Sequence, residues 1–226
     1  SHEFRTPLTT ILSSVFLLEN SKEEDRERIK NVHFGRIKTA AKNLTAILND
    51  FLSLSKLEEG FVKPSYRLTV IHTLMLEVID ELNSLKKTGQ EIIYLHSGDT
   101  EPQVVDRQFL RNIVINLLSN AIKFSPQDSK IDLATLMQDN QLQITVSDRG
   151  IGIPMDEQQH IFTRFFRAGN AQNIDGTGLG LNIVKKYVDL MRGSIVLKSD
   201  ANEGTTITIT IPVVTDKVEG QEIESL

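Results

Sequence analysis

SHEFRTPLTTILSSVFLL, residues 1–18, carries two helical stripes at once. Phe4, Leu8, Ile11, Val15 and Leu18 step by four, three, four and three, the seam spacing of a bundle helix. Leu12 and Phe16 add a second stripe. A helix apolar on two stripes has more to bury than one partner can cover, so the spacing predicts a four-helix bundle built as a homodimer of hairpins. The second helix of the hairpin opens at Ser21-Lys22-Glu23-Glu24, a capping box, and its seam runs through Ile37, Ala40, Leu44, Ile47, Phe51 and Leu54. Its charged first turns read as the solvated end of the hairpin. Gly60 and Pro64 stop the helical pattern, which puts a linker at 61–65 between a helical domain, 1–60, and a second domain.

Beyond the linker the pattern mixes. Short strands are predicted at 66–70 and 91–95 and helices at 71–86 and 107–122. Two alternating runs, 130–137 and 141–147, flank the turn residues Asp139-Asn140. A glycine-rich stretch leads into a helix at 179–191, and strands at 194–199 and 205–211 close the domain, 66–213. The fold class is therefore multi-domain, α followed by α+β: a helical hairpin, then an α/β sandwich whose mixed, mostly antiparallel sheet carries helices on one face. No P-loop appears, and the glycine elements do not follow a first strand in Rossmann fashion. Residues 155–178 form a long, weakly patterned connection, the signature of a lid, and Phe162, Phe165 and Phe166 are expected to anchor it or to dock it on the bundle.

Composition removes several function classes. The chain of 226 residues has no cysteine, which excludes disulfides, thiol catalysis and thiolate zinc sites. Its net charge of -5 lies mostly in an acidic tail, 214–226, expected to be flexible, so the folded body is nearly neutral and nothing favours nucleic acid. No apolar run approaches the length of a membrane span. His33 lies four before Ile37, next to the bundle seam, and His72, His96 and His160 are read as standing at no metal-ligand spacing.

His2 lies about 200° around the helix from Phe4, off the core-facing side. Glu3 is its neighbour, Thr6 stands one turn on, and Pro7 removes a helical hydrogen bond just there. Asn116 and Asn120, four apart on one helix, can both point into a single site. SHEFRTPLTTI, NLLSNAIKFSP from Asn116, DRGIGIP from Asp148, FTRFF from Phe162 and DGTGLGLNIV from Asp175 stand in an order and spacing that resemble the sensor histidine kinases of two-component systems. The resemblance covers the chain from Ser1 to about Val213. It implies a dimerisation and phosphoacceptor hairpin followed by a Bergerat-type ATP-binding domain.

That resemblance implies roles. His2 becomes the phosphoacceptor, with Glu3 holding the opposite ring nitrogen. Asn116 becomes a Mg2+ ligand, Asn120 a second ATP contact, and Lys123 the lysine that meets the phosphates. Phe124 packs either near the nucleotide or in the core. Asp148 accepts the exocyclic amine of adenine, with Gly150 and Gly152 letting the backbone approach the purine. Gly176, Thr177, Gly178, Leu179 and Gly180 form an anion site at a helix N-terminus, and Thr205 sits in the last glycine-containing turn. The implied cofactors are ATP and Mg2+. The implied partner is the receiver domain of a response regulator, and the expected location is the cytoplasm, in a parent protein that can be membrane-anchored. Glu3-Phe4-Arg5-Thr6 resembles the ExxT pattern of regulator dephosphorylation. The competing readings are an ATPase of the wider superfamily and a non-catalytic dimeric scaffold. The ATPase reading is weakened by Ser119-Asn120 standing where a catalytic glutamate would be needed.

Overall fold

A computed structural model describes residues 2–21, 26–172 and 174–213, with side chains at all of these except 2, 3, 26 and 28. Glu24 of the expected capping box and the acidic tail lie outside the described residues. Ser21, the other member of that box, donates its hydroxyl to the Leu18 carbonyl at 2.9 Å.

Helices α1 (His2–Glu19) and α2 (Arg26–Glu58) form the hairpin. The α1 seam departs from the expected one. Pro7 and Ser14 are buried against α2 alongside the half-buried Phe4, Ile11 and Leu18, while Leu8 and Val15 are 49% and 38% exposed. The contact face thus steps by three, four, three and four, rotated about one position from the expected line. Pro7 and Ser14 are small, and they let α2 approach closely. The larger Leu8, Leu12, Val15 and Phe16 form an outer stripe. On α2, Ala40, Ile47 and Leu54 are buried as expected, but Phe51 is 39% exposed and the inner line is completed by His33 and Leu57. The rings of Phe4 and Phe51 meet edge to face at 6.4 Å, which sets the first turn of α1 beside the last two turns of α2.

After the hairpin come β1 (Arg67–Thr69), α3 (Ile71–Leu82), β2 (Glu91–Gly98), β3 (Gln103–Val105), α4 (Arg107–Phe124), β4 (Lys130–Gln138), β5 (Gln141–Asp148), α5 (Gly180–Leu190), β6 (Ser194–Asp200) and β7 (Gly204–Pro212). The main sheet has the order β2-β4-β5-β7-β6, parallel only between β2 and β4. Strand β3, absent from the sequence reading, pairs with β1 in a separate two-stranded ladder.

Alternation decides which face the helices cover. Ile131, Leu133 and Met137 of β4, with Leu142, Ile144 and Val146 of β5, point inward to Leu110, Ile113, Val114, Leu117 and Leu118 of α4. The opposite face is a hydroxyl ladder in which Thr145 meets Thr208 at 3.1 Å and Ser147 meets Thr206 at 2.7 Å. Asp106 caps α4 by accepting the Phe109 N–H at 2.8 Å. Its other oxygen accepts the Ser65 N–H at 2.6 Å, tying the segment after Gly60 to the start of the helix that carries the asparagines. Leu54 and Leu57 join the same apolar cluster as α4 and α5, so the end of α2 is seated on the sandwich.

Candidate active site

Helix α4 lines one cavity of about 330 Å³ with Asn116, Ser119, Asn120, Lys123 and Phe124, because residues three and four apart share a helix face. Asn116 Nδ2 donates to the Asn112 carbonyl at 2.8 Å, which leaves Oδ1 as the outward acceptor. That oxygen faces the start of α5, where a β-carbon on Gly180 would stand 2.7 Å from it. One neutral oxygen in this position fits a hard cation that keeps most of its water.

Strand β5 delivers Asp148 to the far wall. Its Oδ1 accepts the Gly150 N–H at 2.8 Å, and burial lifts its pKa above the ordinary carboxylate value despite backbone hydrogen bonds from Gly150 and Thr205. Around it stand Leu117, Val146, Ile151, Ile153 and Ile207, an apolar slot with one acceptor in its wall. Such a slot suits a flat heteroaromatic ring bearing an amine. Gly152 turns the chain here at φ 60°, and a β-carbon on it would collide with the Asp200 carbonyl at 1.9 Å.

The glycine-rich segment closes the other end. Gly176, Thr177, Gly178 and Gly180 line the cavity ahead of α5, whose first N–H groups lack helical partners. The Lys123 ammonium reaches this segment, since a β-carbon on Gly176 would lie 2.4 Å from Nζ, and it also rides 4.5 Å from the Phe124 ring centroid. Burial lowers the Lys123 pKa from 10.5 to about 8, helped by the Arg167 charge and opposed by Asp175. A half-buried cation whose surroundings lower its pKa on balance is poised to receive an anion.

The connection between β5 and α5 is held by its own polar contacts. Gln158 Nε2 donates to the Ile153 and Ser199 carbonyls at 3.0 and 2.7 Å, Glu157 accepts the Gly169 N–H, and Arg167 donates to the carbonyls of Ala171, Gln172 and Ile174. Among the expected anchors, Phe165 packs on the core and Phe166 lines the cavity. Polar contact with the hairpin is made by Arg164, which pairs with Glu58, and by Thr177, which bonds Asp50.

The cavity thus gathers Asn116, Asn120, Lys123, Phe124, Asp148, Gly152, Gly176, Thr177, Gly178, Gly180 and Thr205. Two expected residues stand behind it. Leu179 is fully buried in the core, with its N–H bonded to the Thr177 hydroxyl at 3.2 Å, and Gly150 backs Asp148 against the Phe124 carbonyl. Thr6 is exposed on α1. His2 opens α1, but its side chain and that of Glu3 lie outside the described residues. Asp50, Arg167 and Asn170 also line the cavity and were missed. Asp50 of α2 enters the cavity and its Oδ2 accepts the Thr177 hydroxyl at 2.8 Å, with burial raising its pKa above the ordinary carboxylate value. No motif marks it; its only signal is a carboxylate between the seam residues Ile47 and Leu54.

A helix-backed, mostly antiparallel sandwich with its cavity between α4 and a glycine-rich helix start defines a Bergerat-type ATP-binding domain. Residues 1–60 match the family described as His Kinase A (phospho-acceptor) domain, and residues 105–215 match that described as histidine kinase-, DNA gyrase B- and HSP90-like ATPase. The chain belongs to the sensor histidine kinases of two-component systems. It is 33% identical over 222 residues to the circadian input-output histidine kinase CikA of Synechococcus elongatus, covering 94% of this chain and 29% of that protein. The solved structure of full-length ShkA in complex with AMPPNP aligns with a TM-score of 0.70 at 27% identity, covering 95% of this chain and 45% of that one. Histidine kinase ThkA, solved in complex with response regulator protein TrrA, aligns at 0.69 and 21% identity over 93% of this chain and 59% of that one, a likeness of fold. The chain spans less than a third of the curated relative's length.

Proposed function

We propose that this chain is a protein-histidine kinase core that transfers the γ-phosphoryl group of ATP to His2 and then passes it to an aspartate of a response-regulator receiver domain. The observation that carries the reading is the single cavity into which four separate sequence blocks bring an apolar slot with a buried carboxylate at one end and Lys123 with a helix N-terminus at the other. Adenine fills the slot, with its amine on Asp148. The phosphates lie along Gly176–Gly180 and Lys123, and Asn120 provides a further contact. Asn116 Oδ1 is the protein's ligand for Mg2+, which when bound supplies charge neutralisation to the phosphates.

At the acceptor end the neutral His2 imidazole attacks phosphorus in line. The bond from phosphorus to the ADP oxygen breaks, and the ring's other nitrogen gives its proton to Glu3. Lys123 and the α5 N-terminus stabilise charge on the transferring group and on the departing ADP. The same AMPPNP-binding likeness in ShkA supports the nucleotide part of this reading. Thr6, exposed on α1, would orient a water for dephosphorylation of the regulator, the role that its ExxT resemblance supports.

The hairpin works as a dimer. Leu12 and Phe16, 62% and 63% exposed on one chain, are the stripe that a second copy covers to complete four helices. Incubation with γ-labelled ATP tests the whole reading. Acid-labile, alkali-stable label on the wild type and none on His2→Gln supports it; free phosphate without labelled protein supports an ATPase, and neither leaves a scaffold.

A further inference from the structure

Asp50 touches the nucleotide cavity from outside the ATP-binding domain. Its Oδ2 accepts the Thr177 hydroxyl at 2.8 Å, and Thr177 lies in the glycine-rich segment that ends at the α5 N-terminus. The hairpin makes a second polar contact two turns further along α2, where Glu58 meets Arg164 and, at 3.6 Å, Lys186 of α5. These contacts lay the ATP module along the end of α2 in one orientation. The glycine-rich segment faces Asp50, and the long connection with the body of α5 faces Glu58.

The start of α1 lies at the same height. Phe4 packs on Phe51, the residue after Asp50. The two helices run antiparallel, so the His2 backbone lies about 3 Å further toward the Glu58 end. The two contacts therefore bracket the level at which α1 begins. Leu54 and Leu57 fill the space between them with apolar packing, which holds the module on the helix but does not fix its register. A hydrogen bond to a single hydroxyl does fix it.

We propose that Asp50 is a positioning residue for phosphoryl transfer: by accepting the Thr177 hydroxyl it seats the phosphate-binding segment of the ATP module at the level of His2. Asp50 does not itself touch the transferred group. It acts through Thr177, and its contribution is the alignment of donor and acceptor, where displacement by about 1 Å costs on the order of a hundredfold in rate. The burial that raises its pKa is what such a seated carboxylate experiences. The proposal rests on the reading of the cavity as the ATP site and of His2 as the acceptor.

The test uses the full chain and separates binding from transfer. Affinity for a non-hydrolysable ATP analogue and the single-turnover rate of autophosphorylation at saturating ATP are measured for the wild type, Asp50→Ala and Asp50→Asn. Light scattering checks that each variant remains dimeric. The expected result is that Asp50→Ala binds the analogue within about twofold of wild type but transfers about ten- to a hundredfold more slowly. Asp50→Asn, which keeps an acceptor at the same place, recovers most of the rate. A wild-type rate in Asp50→Ala overturns the positioning role. A parallel loss of analogue binding also overturns it, making Asp50 a nucleotide contact. A wild type that binds no analogue, or is labelled away from His2, defeats the reading of the site itself.

Discussion

Lys123 concentrates the electrostatics of the cavity in one side chain. Its pKa of about 8 lies below the ordinary 10.5, so the empty site holds the ammonium less firmly than water does, whereas bound phosphates hold it more firmly. Binding therefore takes up a proton near pH 8. Nucleotide affinity should fall as the pH rises through and above about 8, by at most about tenfold per unit, and the fall should flatten in Lys123→Arg, which stays charged. Isothermal titration in buffers of different ionisation enthalpy measures both the affinity and the proton uptake. The linkage to folding has the opposite sense: between about 8 and 10.5 the unfolded chain holds the proton and the native chain does not, so this group adds stability as the pH rises through that window. Gly178 makes a different single-residue demand. At φ 70° and with the Phe165 backbone 2.8 Å from the place a β-carbon would take, Gly178→Ala must shift the segment that meets the phosphates. Analogue binding should weaken by about tenfold or more, and unchanged affinity would show that the segment tolerates the displacement.

At the scale of elements, the ends of α4 and the outer face of α1 each carry a prediction. Asp106 is buried and satisfies both the Phe109 and the Ser65 N–H, so Asp106→Ala leaves two donors without that partner and should cost about 2 to 3 kcal/mol in urea unfolding. Leu12→Asp and Phe16→Asp bury a charge in any four-helix bundle. Sedimentation should show dimerisation weakened on the order of a hundredfold or more, with the nucleotide site intact. The long elements were legible because periodicity is strong where one face is buried. Helices α4 and α5 and the hairpin β4–β5 lie within two residues of their expected ends. The short strand β3 was not, since three residues carry no period and its pairing with β1 is set by tertiary contact. The rotation of the α1 seam was hidden for another reason. A pattern of apolar letters marks every hydrophobic stripe alike, and only the packing of small Pro7 and Ser14 against α2 tells the intrachain face from the outer one.

The whole molecule joins an acceptor helix to a nucleotide cavity through α2. The residues around the cavity were legible because each sits in a block whose chemistry is local: amides one helical turn apart, a carboxylate before glycines, glycines before a helix. Asp50 was not, because its meaning arises only when α2 packs on the glycine-rich segment, 127 positions further along the chain. The most direct measurement of the central claim is the position of the phosphoryl group. After incubation with ATP and magnesium, digestion under alkaline conditions and mass spectrometry should map the modification to His2 in the wild type and find none in Asn116→Ala. A phosphoryl group on His33, His72, His96, His160 or a hydroxyl side chain, or release of free phosphate with none on the protein, would contradict the account.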